Sequence, residues 1–317
     1  MADNKDKKVL NVPALRFPEF TEEWERIRVS DLLDFYSTNS LSWEQLEYEQ
    51  NEPYNLHYGL IHVGLPTLID LTKDELPSIK DGNAPKKYEL CKEGDVAFAD
   101  ASEDTNEVAK IVEFYNLDGK KVVCGLHTIH GRNNNKQTAQ GFLGYCFSST
   151  VFHNQIRRIA QGTKIYSIST KNFSEVFVGL PNKKEQQKIA TLLRLIDERI
   201  VTQNKIIEDL KKLKCAIIEK LYSKIQGKEY SYGQLFDVVN ERNKQMEYYN
   251  ILSASQEKGM VNRDDLNLDI QFERSNINTY KIVRKGDYVI HLRSFQGGFA
   301  FSDKLGVCSP AYTVDTN

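Results

Sequence analysis

Residues 183–224 form a long segment in which apolar side chains recur at steps of three and four residues, except that Gln203 and Lys214 occupy two of the positions. This is the period of a helix with one apolar face. A seam of this kind over about six heptads is typical of a coiled coil. The helix would span about 60 Å and would need a partner helix to cover its apolar face. The alternative is a single core helix packed on one domain. The apolar face comprises Ile189, Leu193, Ile196, Ile200, Ile207, Leu210, Ile217 and Leu221.

The sequence after this segment resembles the sequence before it. The stretch 248–266 aligns with 53–71, the stretch 280–294 with 88–102, and the stretch 307–314 with 123–129. A repeat of this length indicates two copies of one domain rather than a solenoid. The second copy reaches only the counterpart of about residue 130, so we expect it to be truncated.

The chain is therefore predicted to be α+β, in three parts. Residues 1–181 form a mixed α/β domain, in which 1–12 is a flexible tail. Residues 182–226 hold the long spacer helix, and residues 227–317 are a partial second copy of the first domain. Within the first domain, YNLHYGLIHVG (54–64) is typical of a strand, and the stretch 141–162 is predicted to be helical, ending at Gly162.

The charge is distributed unevenly although the net charge is only −2. Residues 119–174 contain no carboxylate and eight basic residues, whereas the chain-wide frequency predicts about eight acids there. A polyanionic partner is one reason to exclude carboxylates, because they repel the phosphates that Lys and Arg attract. The other reason is that several of these positions are apolar sheet positions, which would lack acids anyway.

Several classes of function have no support in the sequence. The five cysteines are scattered without a CxxC pair, which argues against a zinc site and a disulfide framework and favours a reducing, cytoplasmic location. His127 and His130 would point to opposite faces of a strand, so no shared metal is expected. No phosphate-binding loop, hydrolase motif, secretory signal or membrane span is present. No catalytic residue is predicted.

The motifs around residues 162–200 resemble those of type I restriction-modification specificity subunits. The family pattern is a G-T stretch, a strand that ends in L-P, an E-Q-x-K-I-A motif and a D-x-x-I helix. The stretches 16–35, 94–109 and 124–133 also resemble one branch of this family. The residues that carry the pattern are Gly162, Thr163, Leu180, Pro181, Glu185, Gln186, Lys188, Ile189, Ala190, Asp197 and Ile200.

The resemblance implies a non-catalytic subunit that reads DNA. In the family, two target recognition domains each bind half of a bipartite site in double-stranded DNA, and two long helices pair antiparallel to set their spacing. Modification (methyltransferase) subunits that use S-adenosylmethionine dock on this subunit, and restriction (motor-nuclease) subunits use ATP and Mg²⁺. The implied cofactors therefore belong to partner subunits and none to this chain.

The candidate DNA-binding residues are basic and amide side chains within 119–174. Arginine pairs with guanine, and Asn or Gln with adenine, in the major groove. Two alternatives stand beside this assignment: the two arginines of the predicted helix could only complete its dipole, and the asparagine run could be only a flexible loop. The candidates are Arg132, Asn134, Lys136, Gln137, Arg157, Arg158, Lys164 and Tyr166.

Three functional hypotheses follow. The first is a DNA-reading specificity subunit with a truncated second domain. The second is an inactive or recombination-donor product that acts only as an interaction scaffold; alternatively, a half-subunit could form a homodimer through its helix and read a symmetric site. The third is a metal-dependent nuclease built on Glu103, Asp104 and Glu107, which lack the lysine that usually follows paired acids at short spacing.

Overall fold

The computed structural model describes residues 12–49, 52–255, 258–265, 274–291 and 298–316. It divides into two compact units, Met1–Lys214 (unit 1) and Cys215–Asn317 (unit 2). The division falls inside the long helix, and the predicted domain boundaries at its two ends stay predictions. Except for Val12, the predicted flexible tail lies outside the described residues.

The described helices and strands confirm an α+β chain. In unit 1 the strands are β1 Glu25–Arg28, β2 Asp34–Tyr36, β3 Leu46–Glu47, β4 Tyr54–Leu56, β5 Leu68–Asp70, β6 Ser78–Ile79, β7 Val96–Ala99, β8 Ala101–Ser102, β9 Ile111–Asn116, β10 Val122–Cys124, β11 Thr128–Arg132, β12 Tyr166–Ser167 and β13 Phe177–Leu180. The helices of unit 1 are α1 Val29–Leu32, α2 Tyr58–His62, α3 Phe142–Phe147, α4 Thr150–Ile159 and α5 Thr170–Ser174, and the long helix is α6 Lys183–Tyr222. Unit 2 has α7 Tyr232–Leu235, β14 Asp237–Val239, β15 Leu252–Ser255, β16 Gly259–Asn262, β17 Lys281–Val283, β18 Tyr288–Ile290, β19 Phe299–Phe301, β20 Gly306–Cys308 and β21 Thr313–Thr316.

Unit 1 is organised around a five-stranded sheet in the order β2-β11-β7-β9-β5. Strand β7 is buried along its whole length because both faces of the sheet are covered. Val96 and Phe98 face one apolar cluster with α3, α4 and α5, and Ala97 and Ala99 face a second cluster. A four-stranded sheet, β10-β4-β6-β3, completes the unit.

Unit 2 repeats the strand order of unit 1. Its sheet runs β14-β21-β18-β19, which matches β2-β11-β7-β9, and every neighbouring pair in both runs is antiparallel. The sequence repeat therefore corresponds to a repeated architecture, within the residues that the structure describes.

The Gly-Asp turn shows the repeat at atomic detail. Gly94 and Gly286 adopt φ angles of +85° and +102°, which only glycine adopts without strain. Asp95 and Asp287 each accept the backbone N–H three residues earlier, at 2.9 Å and 2.7 Å. Both turns lead directly into a central strand, so the same local chemistry starts β7 and β18.

Helix α6 begins at Lys183 as predicted and ends two residues before the predicted end. The Asn182 side chain accepts the Glu185 N–H at 3.0 Å, which caps the helix. The buried Glu185 carboxylate accepts two hydrogen bonds of 2.7 Å from Arg16 and one of 3.1 Å from Trp24. These bonds attach the first turn of α6 to Arg16 and Trp24 in the N-terminal part of unit 1.

The remainder of the apolar face of α6 is exposed. Ile189 and Leu193 are half-buried against unit 1. The other predicted seam residues expose about half of their surface, from 45 % at Ile196 to 63 % at Leu221. On a helix of this length, an exposed apolar stripe is suited to packing against another helix and is not part of a domain core. The structure thus favours the spacer interpretation over the core-helix alternative.

Candidate nucleic-acid interface

Part of the positive charge of residues 119–174 is neutralised by acids elsewhere in unit 1. Lys120 lies 3.7 Å from Asp118, and Lys121 lies 3.6 Å from Glu52. Other basic residues of this stretch form no salt bridge within the described part of the chain: Lys136, Arg157, Arg158, Lys164 and Lys171. Four of these five lie between residues 157 and 171, so the excess positive charge is concentrated there.

The structure corrects the prediction that Arg132 reads DNA. Arg132 is 6 % exposed and donates to both carboxylate oxygens of Asp95, each at 2.8 Å. It also donates to Glu89 at 2.6 Å and to the Leu90 carbonyl at 2.8 Å. Its guanidinium lies 4.4 Å from the Tyr36 ring centroid. A buried guanidinium with these partners holds strands together and cannot reach a base edge.

Helix α4 presents its two arginines at its exposed C-terminal end. Its other face buries Phe152 and Ile156 in the core of unit 1. Arg157 donates to Asn106 at 2.8 Å and to Asn154, both neutral amides, so its charge is not cancelled. Arg158 is exposed. Positive charge at a helix C-terminus is also locally stabilising, so the dipole role and a DNA role are compatible.

The loop after α4 depends on Gly162. This glycine has a φ of +138°, and a Cβ atom built on it would lie 1.9 Å from the Ile165 carbonyl oxygen. The tight turn exposes Lys164 and Ile165, the latter at 61 %. Strand β12 then pairs antiparallel with β8, with Tyr166 opposite Ser102. Sequence analysis named Arg157, Lys164 and Tyr166 as candidates. In the structure Arg157 donates to Asn106 and Tyr166 pairs opposite Ser102, so both contact the segment 100–107.

A group of aromatic and histidine side chains, which sequence analysis missed, adjoins this region. Its members contact one another through their rings. The contacts are tilted for Trp43–His57 and His57–Tyr58, with centroid distances of 4.4 Å and 4.7 Å, and edge-to-face for Tyr58–His127 and Tyr58–His62, at 5.2 Å and 6.0 Å. Trp43 is 44 % exposed. Burial, with a smaller contribution from His127, lowers the pKa of His57. We refer to Trp43, His57, Tyr58, His62 and His127 as the aromatic–histidine cluster.

The segment 100–107 connects the cluster to the α4–β12 region. His127 pairs with Asp100 at 3.1 Å, and His62 bonds to the Ala101 carbonyl at 3.0 Å. Asp100 also accepts, through its carbonyl, the N–H of Ile168 at 2.9 Å. Together with the Arg157–Asn106 bond, these contacts make one continuous surface, which we call the recognition surface: segment 100–107, residues 157–167 and the aromatic–histidine cluster.

Two acids of this surface, Asp104 and Glu107, have local partners. Glu107 lies 2.8 Å from the ammonium of Lys110 and 3.6 Å from His62. The Lys110 hydrogen bond is the main reason that the pKa of Glu107 is lowered. The Asp104 carboxylate accepts the backbone and side-chain N–H groups of Asn106 at 2.8 Å and 2.9 Å. Within the described residues, these acids face separate partners and do not form the shared metal site that a nuclease requires.

The polar loop 133–137 lies at the other end of β11. The strand places this loop roughly 20 Å from His127, at about 3.3 Å per residue. Lys183 donates to the Lys136 carbonyl and Gln186 to the Gln137 carbonyl, each at 3.2 Å. The Asn134 side chain donates to the Asp34 carboxylate at 2.5 Å and to Tyr36. The loop therefore contacts both β2 and the first turn of α6.

Comparison with known proteins relates this architecture to a single family. Residues 115–212 match the type I restriction modification DNA specificity domain. The type I restriction enzyme MjaVIII specificity subunit of Methanocaldococcus jannaschii is 24 % identical over 241 residues, which cover 75 % of this chain and 50 % of that protein. The chain thus spans about half the length of this curated relative.

Solved structures agree on the fold. The S subunit of a type I restriction-modification system from M. genitalium superimposes with a TM-score of 0.51 at 15 % identity, over 92 % of this chain and 72 % of that one. A chain solved in work on complex assembly and conformational transition of a type I R-M system superimposes with a TM-score of 0.52 at 14 % identity, over 96 % and 77 %. Among the described residues, no helix is both long and apolar enough to cross a membrane. Residues 115–212 thus match the family model of the type I restriction modification DNA specificity domain, and the chain is similar in fold to the S subunit of such a system.

Proposed function

We propose that this chain is the DNA sequence-recognition subunit of a type I restriction-modification complex, without catalytic activity of its own. The observation that carries the proposal is the positive charge of Arg157, Arg158, Lys164 and Lys171, which form no salt bridge within the described residues. Residues 157–167 contact the segment 100–107, which also contacts the aromatic–histidine cluster. Phosphate contacts supply affinity and register, while base-edge contacts supply specificity. The recognition surface offers both kinds of side chain.

Roles can be assigned from the contacts of each residue. Arg158 and Lys164 are exposed and make no hydrogen bond within the described residues, so they contact phosphates. Tyr166, Arg157 and Asn106 are held by local contacts and offer donors and acceptors to base edges. Lys136 and Gln137 are exposed at the far end of β11 and extend the contact along the backbone of the DNA. Asn134, whose side chain is bound to Asp34, positions that loop.

The exposed face of α6 is the proposed attachment site for partners. In this proposal, a second helix of the same kind covers the seam from Ile196 to Leu221. Modification subunits with S-adenosylmethionine, and restriction subunits with ATP and Mg²⁺, then assemble on the paired helices. No cofactor is assigned to the recognition chemistry of this chain, because reading DNA requires only contacts.

The test is co-expression with the cognate modification subunits, followed by sequencing of modified adenines. We expect a single bipartite or symmetric motif. The double substitution Arg158→Glu and Lys164→Glu should abolish modification while the subunits still co-purify. Lys87→Glu is the matched control, because Lys87 is equally exposed but lies outside the recognition surface. A complex that assembles yet modifies no defined motif would contradict the proposal.

A homodimer through α6 is a second candidate, favoured by the exposed apolar face itself. Two copies would present two recognition surfaces of equal specificity, and the DNA site would be symmetric. Light scattering of the purified chain measures this directly. A monomer over a wide concentration range would contradict the homodimer and leave the recognition role to an assembly with another helix.

A further inference from the structure

Two cysteines and a histidine from distant parts of the sequence meet in the interior of unit 1. Cys91, Cys124 and His130 are 6 %, 2 % and 0 % exposed. The two Sγ atoms lie 3.6 Å apart, and one donor atom from each of the three residues lies within 4.8 Å of the other two. Cys91 precedes the Gly-Asp turn, Cys124 ends β10 and His130 lies in the middle of β11. The absence of a CxxC pair in the sequence does not exclude zinc, because the fold brings the three side chains close together.

The imidazole of His130 is held in the orientation of a metal ligand. Its Nε2 atom bonds to Asp95 at 2.7 Å, and Asp95 is in turn fixed by Arg132. Its Nδ1 atom is buried and has no hydrogen-bond partner. A carboxylate that accepts the N–H of one ring nitrogen leaves the other nitrogen as a lone-pair donor, an arrangement common to ligating histidines. The unpartnered Nδ1 therefore indicates a ligand on that side of the ring.

Unit 2 shows that the fold does not need these polar side chains. Strand pairing makes Val283, Cys308 and Val314 the counterparts of Cys91, Cys124 and His130. The three counterparts are fully buried and belong to one apolar cluster. Two valines therefore suffice for packing at the positions of Cys91 and His130. The donor set in unit 1 is an addition to the fold and requires its own explanation.

We propose that Cys91, Cys124 and His130 bind one zinc ion in the interior of unit 1. Two thiolates and an imidazole are a ligand set that Zn²⁺ prefers, with a water or another oxygen in the fourth tetrahedral position. Two sulfurs bound to one tetrahedral zinc at about 2.3 Å lie about 3.8 Å apart, close to the separation in this structure. Binding displaces the two thiol protons to solvent, and the charges of the ion and the two thiolates cancel.

The ion would connect three segments of unit 1. Cys124 and His130 flank the turn that carries His127, a member of the recognition surface, and Cys91 lies beside the Gly-Asp turn. Coordination would hold Cys124 and His130, at the two ends of this turn, close to each other and to Cys91, which precedes β7. The zinc proposal does not depend on the proposed function, since it concerns the interior of unit 1 whatever the surface binds.

The experiment uses the full chain, purified under reducing conditions without chelator, and measures zinc by mass spectrometry. We expect about one zinc per chain, and less than about a tenth in Cys91→Val, which installs the residue that unit 2 has there. Cys308→Val and Cys215→Ser should keep the metal: Cys308 is the counterpart of Cys124, and Cys215 is exposed. Cobalt added to the metal-free proteins should give a thiolate charge-transfer band in the unaltered chain, in Cys308→Val and in Cys215→Ser. It should give no such band in Cys91→Val.

A second measurement uses the unaltered chain, so its result does not depend on whether a variant folds. Zinc added to the metal-free chain should raise the melting temperature. The proposal is overturned if the unaltered chain neither holds nor is stabilised by zinc, or if Cys91→Val keeps the metal. It is equally overturned if thiol titration before reduction finds Cys91 and Cys124 joined in a disulfide.

Discussion

Replacing Arg132 tests whether this arginine is structural, as its contacts indicate, or reads DNA, as its sequence context predicts. Arg132→Leu removes the guanidinium that neutralises Asp95, a carboxylate that is 1 % exposed. His130 and one backbone N–H remain on Asp95, so its charge stays buried but loses its formal countercharge. Loss of one member of a buried pair costs about 3–5 kcal/mol of unfolding free energy, because the other is left unpaired.

Urea denaturation monitored by tryptophan fluorescence measures this cost in the intact chain. Both tryptophans, Trp24 and Trp43, belong to unit 1, so their emission reports on the unit that contains the pair. The double variant Asp95→Asn/Arg132→Leu should lose less unfolding free energy than the two single variants lose when their losses are added. We expect this difference, the coupling energy, to lie at the upper end of about 0.5–3 kcal/mol.

Arg158→Leu is the matched control, because Arg158 is exposed and forms no salt bridge within the described residues. It should change stability by less than about 0.5 kcal/mol. It should also reduce the salt dependence of DNA binding by about 0.9 in the log–log slope, the contribution of one phosphate contact. At temperatures where it is folded, Arg132→Leu should leave that slope unchanged. An Arg132→Leu protein of full stability that had lost DNA binding would refute the structural assignment.

Three further outcomes follow from the structure. Gly162→Ala should weaken DNA binding without unfolding the chain, because its Cβ would meet the Ile165 carbonyl; Gly82→Ala, also at positive φ but with nothing within 4 Å, is the binding-assay control. Burial raises the folded pKa of Glu113 from 4.5 to about 7. As pH rises from 4.5 to about 7, the unfolding free energy of the chain should therefore fall by about 3 kcal/mol relative to that of Glu113→Gln. Urea denaturation of both proteins measures this difference. Ile207→Glu should lower the mass measured by light scattering of any assembly formed through α6, since it places a charge on the exposed seam.

The sign of the pH prediction follows from proton linkage. A carboxyl whose folded pKa is raised binds its proton more tightly in the folded state, so its contribution is present below pH 4.5 and is lost as pH rises to about 7. The glutamine at this position does not titrate, and all other groups cancel in the difference. A pH-independent difference between the two proteins would show that the backbone N–H groups of Gly141 and Gly144 stabilise the carboxylate as much as burial penalises it.

The long helix and the repeat could be predicted because both rest on local patterns. A helical period sustained over forty residues, with Asn182 as cap, leaves little room for another structure. The stretch YNLHYGLIHVG was predicted as one strand, and this was wrong: β4 ends at Leu56 and α2 follows. Short apolar runs fit strand and helix equally well, and the surrounding packing decides between them.

The candidate site was only partly predictable for a different reason. Sequence shows the charge of a side chain but not the partner that neutralises it. Arg132 and Asp95 are 37 positions apart, and the Cys91 and Cys124 sulfurs are 33 apart, so neither pairing has a local signature. Arg157, Lys164 and Tyr166 became candidates because they lie in a stretch of sequence without carboxylates, and their role in DNA binding stays a prediction. Four members of the aromatic–histidine cluster, Trp43, His57, Tyr58 and His62, lie in an acid-rich part of the chain, where a search for basic residues does not look.

The attachment of Glu185 to Arg16 and Trp24 has a consequence for angular precision. Helix α6 is held at its first turn, and its last residue lies about 56 Å further on. A tilt of 5° at the attachment would displace that end by about 5 Å, more than the ~3.4 Å between neighbouring base pairs. A helix that measures DNA to the base pair must therefore be clamped to within about 3° at its base. Two 2.7 Å bonds from one guanidinium to a buried carboxylate restrain this angle more strongly than a single bond would. Under the proposed function, loosening Glu185 would blur the spacing between half-sites long before it weakened the contacts to either one.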